Sequence, residues 1–313
     1  MRVKGMDRVV IMVRDIDKAL EFFSQELGME FKELDKNISE RDGVRSYVCH
    51  QTHVHLISPI LPLPENAAPP MRKRVDLLRK NEAIFNALTF MVDDKAKVEA
   101  ELKQQGITIQ HRYEASPDYA SIGMDNFREV VTSDEDTLGL VIGLAAYDHQ
   151  YINHYSSTKG ERSMKVTGLD RIVVMVRDMD KALAFFSGKL GMQFRELSKE
   201  IQERDGNRGF VCHETHLHLV QPSLPLPEGA APFLKQGVEL LKEKEAVVLV
   251  LLFKMDDPLA AAKEMKQQGF VILRTWEENH DYASVGMDNL VEFIVDPKDT
   301  LGIAMGFSKW DRI

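Results

Sequence analysis

Short apolar runs of strand character alternate along the chain with segments of helical spacing. The run Asp7–Val13 is rich in β-branched residues and predicts a strand. Asp15 then suits a helix N-cap, apolar side chains recur at helical spacing as far as Leu27, and Gly28 predicts the end of the helix. The segments MEFKELD, RSYVCH and HVHLIS predict three further short strands. The predicted order is therefore β-α-β-β-β.

A second round of the same order follows. A Pro-rich connector (61–70) and a polar helix (71–80) come first. They precede a strand in ALTFMV, a helix over 95–105, and strands near 107–113, 127–132 and 138–144.

The whole pattern is written twice. A shift of 163 positions superposes residues 1–150 on 164–313 without a gap, and VRDIDKALEFF returns as VRDMDKALAFF. We therefore predict two domains, 1–148 and 164–313, each with two βαβββ units. The polar stretch 149–163 is the expected linker. The repeat predicts an internal pseudo-dimer, and a homodimer is a further option.

Composition narrows the class of protein. The 313 residues are 44% hydrophobic and 28% charged, with a net charge of −9, which argues against a nucleic-acid or anionic-membrane partner. No apolar run approaches the roughly 18 residues that a spanning helix needs. The two cysteines, Cys49 and Cys212, occupy matching places in the repeats and are expected to be buried reduced thiols. A cytoplasmic protein with a small-molecule ligand is the expectation.

Two motifs carry a resemblance to a known family. The first strand entering VRDIDKALEFFSQELGMEF and the closing hairpin DPKDTLGIAMGF resemble the vicinal-oxygen-chelate superfamily. That superfamily includes glyoxalase I, bleomycin-resistance proteins, methylmalonyl-CoA epimerase and extradiol dioxygenases. The resemblance implies an α+β fold in which pairs of βαβββ units form curved mixed sheets with helices outside. It also implies that a small ligand binds inside each of the two tandem cups.

The resemblance also implies a metal site, and the matching residues do not suit one. Metalloenzymes of the family hold a divalent metal from four strand positions of a cup. In this sequence those positions are Arg8, His55, Ala87 and Gly143 in the first repeat, and Arg171, His218, Val250 and Gly306 in the second. Only the histidines can bind a metal, whereas a catalytic zinc needs about three protein ligands. We therefore expect no metal cofactor, with a divalent metal as the alternative.

Three histidines stand close together in CHQTHVHLISP, from Cys49 to Pro59, and the stretch returns as CHETHLHLVQP. Strand alternation places His53 and His55 on one face, which should line the cup. Three readings stay open for this face: a polar cup wall, a displaced metal site, and ligand binding or proton transfer. The candidate catalytic residues are His55 and its match His218, because histidine titrates near neutrality.

Arg8 is predicted to share the cup face, where a buried charge needs a partner. That partner is either an anionic ligand, which a guanidinium binds through paired hydrogen bonds, or an internal carboxylate such as Glu129 or Asp7. Tyr119 is a candidate hydrogen-bond donor in the same cup. The candidate substrate-binding residues are Arg8, Arg171, His53, His216, Tyr119, Tyr282, Glu129 and Glu292.

The leading hypothesis is a tandem protein that binds a small polar or anionic organic molecule in each cup without the usual metal. Histidine-based acid/base chemistry is compatible with it. The first alternative is a metal-dependent lyase, isomerase or ring-cleaving dioxygenase with a relocated site at His53, His55 and Glu129. The second alternative is a scaffold with vestigial cups.

Overall fold

The fold was examined in a computed structural model, which describes residues 1–63, 69–149 and 165–313. Two eight-stranded mixed sheets curl into half-barrels with helices packed on them, as predicted for tandem pairs of βαβββ units. By compactness, one unit holds Met6–Ser133 and Val141–Lys165. The other holds Met1–Gly5, Asp134–Leu140 and Val166–Ile313.

The elements of the first repeat are β1 (Gly5–Val13), α1 (Ile16–Leu20), β2 (Lys32–Glu33), α2 (Lys36–Asp42), β3 (Val44–Cys49), β4 (Val54–Pro59), α3 (Pro69–Leu78), β5 (Ala83–Met91), α4 (Lys95–Gln104), β6 (Ile109–Ser116), β7 (Met124–Thr132) and β8 (Ile142–His149). Those of the second repeat are β9 (Val166–Val176), α5 (Met179–Leu183), β10 (Arg195–Glu196), α6 (Lys199–Asp205), β11 (Asn207–Cys212), β12 (Leu217–Pro222), α7 (Pro232–Leu240), β13 (Ala246–Met255), α8 (Pro258–Gln267), β14 (Ile272–Asn279), β15 (Met287–Val295) and β16 (Met305–Arg312).

Each sheet joins its two βαβββ units through their first strands. The orders are β2-β3-β4-β1-β5-β8-β7-β6 and β10-β11-β12-β9-β13-β16-β15-β14. β1 pairs with β4 in parallel, with Val10 opposite His55, and β5 pairs with β8 in parallel, with Thr89 opposite Gly143. The four central strands of the first sheet are therefore β4, β1, β5 and β8, in that order.

Local sequence signals explain the first helix. The Asp15 side chain accepts hydrogen bonds from the backbone N–H groups of Asp17 and Lys18, as expected of an N-cap. The helix continues as a six-residue π-helical turn, Glu21–Glu26, which buries Phe22 and Phe23. Both cysteines are buried and free, as predicted.

Two predicted strands begin later than expected, because a non-glycine residue with positive φ turns the chain before them. His53 has φ +55° and β4 begins at Val54, while Leu138 has φ +62° and β8 begins at Ile142. A left-handed residue cannot continue an extended strand. The prediction that His53 alternates on the same strand face as His55 is therefore wrong, and the matching His216 also has φ +55°.

Helix α2 was missed. MEFKELD was predicted as one strand, but only Lys32–Glu33 is extended, and α2 follows at once. Its signals are present in the sequence: the Asp35 side chain accepts from the Asn37 N–H, and Gly43 ends the helix in the left-handed conformation.

The predicted domain boundaries stay a prediction. The expected linker, 149–163, lies almost entirely outside the described residues, as do residues 64–68 of the Pro-rich connector. Among the helices of the described ranges, none is long and apolar enough to cross a membrane.

Candidate functional site

His55 lies at the centre of the first sheet, on β4 beside β1. Both of its ring nitrogens are buried, and neither has a hydrogen-bond partner within the described residues. Its match on β12, His218, likewise has a buried Nε2 atom for which the described part of the chain offers no partner. A buried polar atom left unpaired is uncommon in folded proteins and costs stability. These two rings are therefore the leading candidates for contact with a ligand.

His53 takes a different role from His55. Its Nδ1 lies 2.7 Å from the backbone carbonyl oxygen of Asp7 and donates a hydrogen bond to it, and His216 does the same to Asp170 at 2.7 Å. The ring closes the turn that leads into the strand. The structure does not bring His53 onto the cup face with His55.

Arg8 sits in a buried ion cluster. One guanidinium nitrogen bonds Asp7, and the other donates to Glu129 Oε2 at 2.7 Å. The Arg8 side chain is 7% exposed, as is that of Glu129. The guanidinium also stacks over the Phe127 ring at 5.1 Å. This is the internal ion pair that the sequence left open as the alternative to an anionic ligand.

Neutral donors complete the cluster. The Tyr147 hydroxyl donates to Asp7 Oδ1 at 2.6 Å, and the Thr89 hydroxyl donates to Glu129 Oε1 at 3.1 Å. Every carboxylate of this group therefore has a second donor besides Arg8. That arrangement stabilises charges which would otherwise be costly to bury.

The second repeat keeps the ion cluster with different neighbours. Arg171 bonds Glu292 and lies 3.0 Å from Asp170, and Asp170 accepts from Trp310 Nε1 at 2.7 Å. The position of Thr89 is held by Leu252, which cannot donate to Glu292. The Glu292 carboxylate therefore depends more heavily on its arginine.

The hydroxyl groups of the two candidate tyrosines bond residues outside the ion clusters. Tyr119 lies in a 3₁₀ turn and its hydroxyl accepts from Arg41 Nη2 at 3.2 Å. Tyr282 donates to Asp205 Oδ2 at 3.0 Å. Burial raises the pKa of Tyr119 to about 12, so its hydroxyl stays protonated. Both rings belong to the apolar clusters formed with α2 and α6.

Burial keeps both candidate catalytic histidines neutral. It holds the pKa of His55 well below its usual range, and the positive charge of Arg8 acts in the same direction. Burial, with Arg171 adding to it, lowers the pKa of His218 to about 3. The expectation of proton transfer rested on a ring that titrates near neutrality. The pKa values of both rings lie below that range, and each neutral ring offers one donor and one acceptor.

The pKa values of the buried glutamates are raised, whereas those of the histidines are lowered. Burial raises the pKa of Glu129 even though Arg8 opposes the shift. In the second repeat, burial raises the pKa of Glu292 to about 7 despite the neighbouring Arg171. The guanidinium of Arg8 resists burial, but Glu129 and Asp7 outweigh that effect and raise its pKa. One cation thus serves two carboxylates in each cluster, and one carboxylate can hold a proton.

The metal that the family resemblance implies does not fit these residues. Arg8 is engaged by carboxylates, Ala87 has no donor atom, and a Cβ at Gly143 would overlap Glu129 Oε1 and lie 2.6 Å from Thr89 Oγ1. The Glu129 carboxylate occupies the space that a side chain at Gly143 would need. Within the ranges that the structure describes, no three His, Cys, Asp or Glu residues come close enough to hold a metal ion.

Gly143→Ala is expected to destabilise the fold by about 1–3 kcal/mol, because the added methyl group would displace Glu129 or Thr89 inside the buried cluster. Urea denaturation measures the effect. Gly188→Ala is the matched control, because a Cβ there would meet nothing within 4 Å. Equal stability of the two variants would show that Glu129 is free to move away from Gly143.

Sequence reasoning missed several residues of the site. Asn86 on β5 has a buried Oδ1 atom that finds no partner within the described residues. Thr89 and Tyr147 were also overlooked. The signal lay in a comparison of the repeats, since Leu249 stands where Asn86 does and Leu252 stands where Thr89 does. Polar residues that interrupt an apolar strand in only one repeat mark a difference between the cups.

Comparison with known proteins agrees with this architecture. The family model described as Glyoxalase/Bleomycin resistance protein/Dioxygenase superfamily matches residues 5–136 and 168–303. No curated protein matches the chain.

Three solved structures of similar fold illustrate the likeness. A mutant of 4-hydroxymandelate synthase from Streptomyces coelicolor has a TM-score of 0.66 at 14% identity, covering 100% of this chain and 94% of that one. The Mn(II)-bound glyoxalase from Novosphingobium aromaticivorans has a TM-score of 0.58 at 13% identity, covering 99% and 84%. The 2,3-dioxygenase LapB from Pseudomonas sp. KL28 has a TM-score of 0.59 at 15% identity, covering 98% and 92%. At these identities the likeness concerns the fold.

Proposed function

Because the chain belongs to the glyoxalase/bleomycin resistance protein/dioxygenase superfamily over both of its repeats, we propose that it binds a small polar organic molecule in its cups without the metal used by many relatives. The contact group is a buried neutral histidine, His55 in the first cup and His218 in the second. The protein acts as a binding module in which a ligand completes the hydrogen bonding of these rings.

One observation carries the proposal: both ring nitrogens of His55 are buried, and neither finds a partner among the described residues. A neutral imidazole presents one N–H donor and one lone-pair acceptor. A polar ligand can satisfy both and thereby offset the cost of burying unpaired polar atoms. The low pKa of the ring favours this use over proton transfer at neutral pH.

The donor set argues against a metal function for the cups. The Mn(II)-bound glyoxalase is a metalloprotein of the same fold, but here Arg8 and Gly143 stand at two of the four positions that the family uses. Arginine stays protonated and repels a cation. The Glu129 carboxylate, paired with Arg8, already occupies the space beside Gly143.

In this proposal Arg8 acts on the site through its charge and does not contact the ligand. Its two nitrogens that bond Asp7 and Glu129 are already engaged. Burial keeps the pKa of His55 low, and the positive charge of Arg8 acts in the same direction, so the ring stays neutral and keeps one donor and one acceptor. An anionic group on the ligand would meet the carboxylates of the cluster as well as the cation, so a neutral polar group is favoured beside it.

Metal content and ligand binding test the proposal together. Untagged protein, dialysed against a chelator, is expected to bind at least one of 2-pyrrolidinone, cyclohexanol and pyruvate in ligand-observed NMR. The double variant His55→Ala/His218→Ala is expected to lose that binding. His280→Ala is the control, because His280 is an exposed histidine outside both cups.

Two results would overturn the proposal. The first is one tightly held transition-metal ion per repeat in freshly purified protein that disappears in His55→Ala. The second is ligand binding that occurs only after a divalent metal is added. Either result would favour a metal-dependent enzyme with a relocated site. Failure to bind all three compounds would favour a scaffold with vestigial cups.

A further inference from the structure

The two cups differ along one pair of equivalent strands. On β5, Asn86 and Ala87 are partly exposed. At the same positions of β13, Leu249 is 8% exposed and Val250 is 2% exposed. The second repeat therefore covers this part of its cup more completely than the first repeat does.

The helix beside each strand explains the difference. In α7, a Cβ added at Gly237 would lie 2.8 Å from Leu249 Cδ1 and 3.1 Å from Met175 Sδ, so the helix backbone lies close against the strand side chains. Phe233 of the same helix is buried in the core cluster that contains Leu249. In α3 the matching position is Arg74, which is half-buried. Met71 and Leu78 of α3 pack in the cluster that contains Ala87, but Arg74 replaces the close backbone contact that Gly237 makes with Leu249.

The first repeat also has, on this strand, a polar atom for which the described residues offer no hydrogen-bond partner. Asn86 Oδ1 is buried and has no partner within the described residues, whereas its counterpart Leu249 is apolar. Leu249 packs in the same cluster as Val220, which matches Ile57 on β4, two residues beyond His55. A register shift between Val248 and Val250 lets Leu249 and Val250 pack in that one cluster. By the equivalence of the repeats, we infer that Asn86 shares the cup face of His55. Apolar side chains around Ile57 line the remainder of that face.

We propose that the ligand binds preferentially in the first cup, and that Asn86 is a further binding residue there. This rests on the proposed function and narrows it. The ligand is a small, largely apolar molecule that carries at least one hydroxyl or N–H donor. That donor bonds the Asn86 amide oxygen, and a second polar contact is made with the neutral His55 ring. The second cup is filled by its own helix and serves the architecture.

Thiol accessibility tests the location of the site. Ala87→Cys and Val250→Cys are a matched pair at equivalent positions, and the native Cys49 and Cys212 are buried. The rate of reaction with methyl methanethiosulfonate is measured for each folded variant and divided by its rate in denaturant. The corrected rate at position 87 is expected to exceed that at position 250 by at least about tenfold, because the latter must wait for local opening. Equal corrected rates overturn the inference.

Binding of cyclohexanol tests the role of Asn86. Asn86→Leu, which copies the second repeat, is expected to weaken cyclohexanol binding by at least about tenfold, and methoxycyclohexane, which lacks the donor, should bind the wild type as weakly. Leu249→Asn serves as the matched control and should leave binding unchanged. Undiminished binding to Asn86→Leu, or no binding of cyclohexanol to the wild type, overturns the inference. Loss in His55→Ala but not in Asn86→Leu would overturn it while leaving the proposed function intact.

Discussion

Replacing Arg8 by methionine is expected to lower the free energy of unfolding by about 3–5 kcal/mol, because it leaves buried carboxylates without their cation. Asp7 and Glu129 would both lose the guanidinium, and each would keep only a neutral donor. Methionine retains much of the side-chain volume, so cavity formation contributes little to the loss. Chemical denaturation of the full chain measures the effect.

Two further variants separate this effect from a general loss of charge. Arg14→Met removes an ion pair with Glu82 in which the side chains are 54% and 40% exposed, and the expected change is within about 1 kcal/mol. Arg8→Met/Glu129→Met removes the cation together with one of its two carboxylates. It is expected to recover part of the stability, since only Asp7, which keeps its hydrogen bond from Tyr147, is left without the cation. If Arg8→Met is as stable as Arg14→Met, then Arg8 is not a structural cation, and its role as a ligand contact regains support.

The second large effect concerns pH. The pKa of Glu292 is raised by burial to about 7 in the folded chain, against about 4.3 for an exposed glutamate. Between these two values the folded state retains a proton that the unfolded state releases. The contribution of Glu292 to stability is therefore fully present below about pH 4 and is lost as pH rises through 7, by about 4 kcal/mol in total.

Glu292→Gln isolates this contribution, because glutamine imitates the protonated acid at every pH. The stability of the wild type relative to Glu292→Gln should fall steadily between about pH 4.5 and pH 7.5 and then level off. Glu245→Gln is the control with the opposite sign. The Arg177 side chain lowers the pKa of Glu245 through a hydrogen bond, so its small contribution is lost as pH falls. Parallel curves for the wild type and Glu292→Gln would mean that Glu292 is ionised in the folded chain.

The sequence by itself determined the repeat, the fold class and most of the strands and helices. Apolar runs such as Asp7–Val13 and capping residues such as Asp15 act through neighbouring residues, so a local pattern is enough to predict them. The same local signals were present for α2 and were overlooked. The sequence also shows that Arg8 and Gly143 offer no metal ligand, because arginine stays protonated and glycine has no side-chain donor in any fold.

Only the tertiary structure decided what the candidate residues do. Arg8 and Glu129 are 121 positions apart, and their pairing depends on the order of β1, β5, β8 and β7 across the sheet. Strand alternation predicted that His53 lies on the same face as His55. In the structure His53 has a left-handed conformation before β4 begins, and its ring bonds the Asp7 carbonyl. The neutrality of His55 comes from burial and from a charge on another strand. Burial and long-range electrostatics are properties of packed neighbours, and a linear pattern does not specify them.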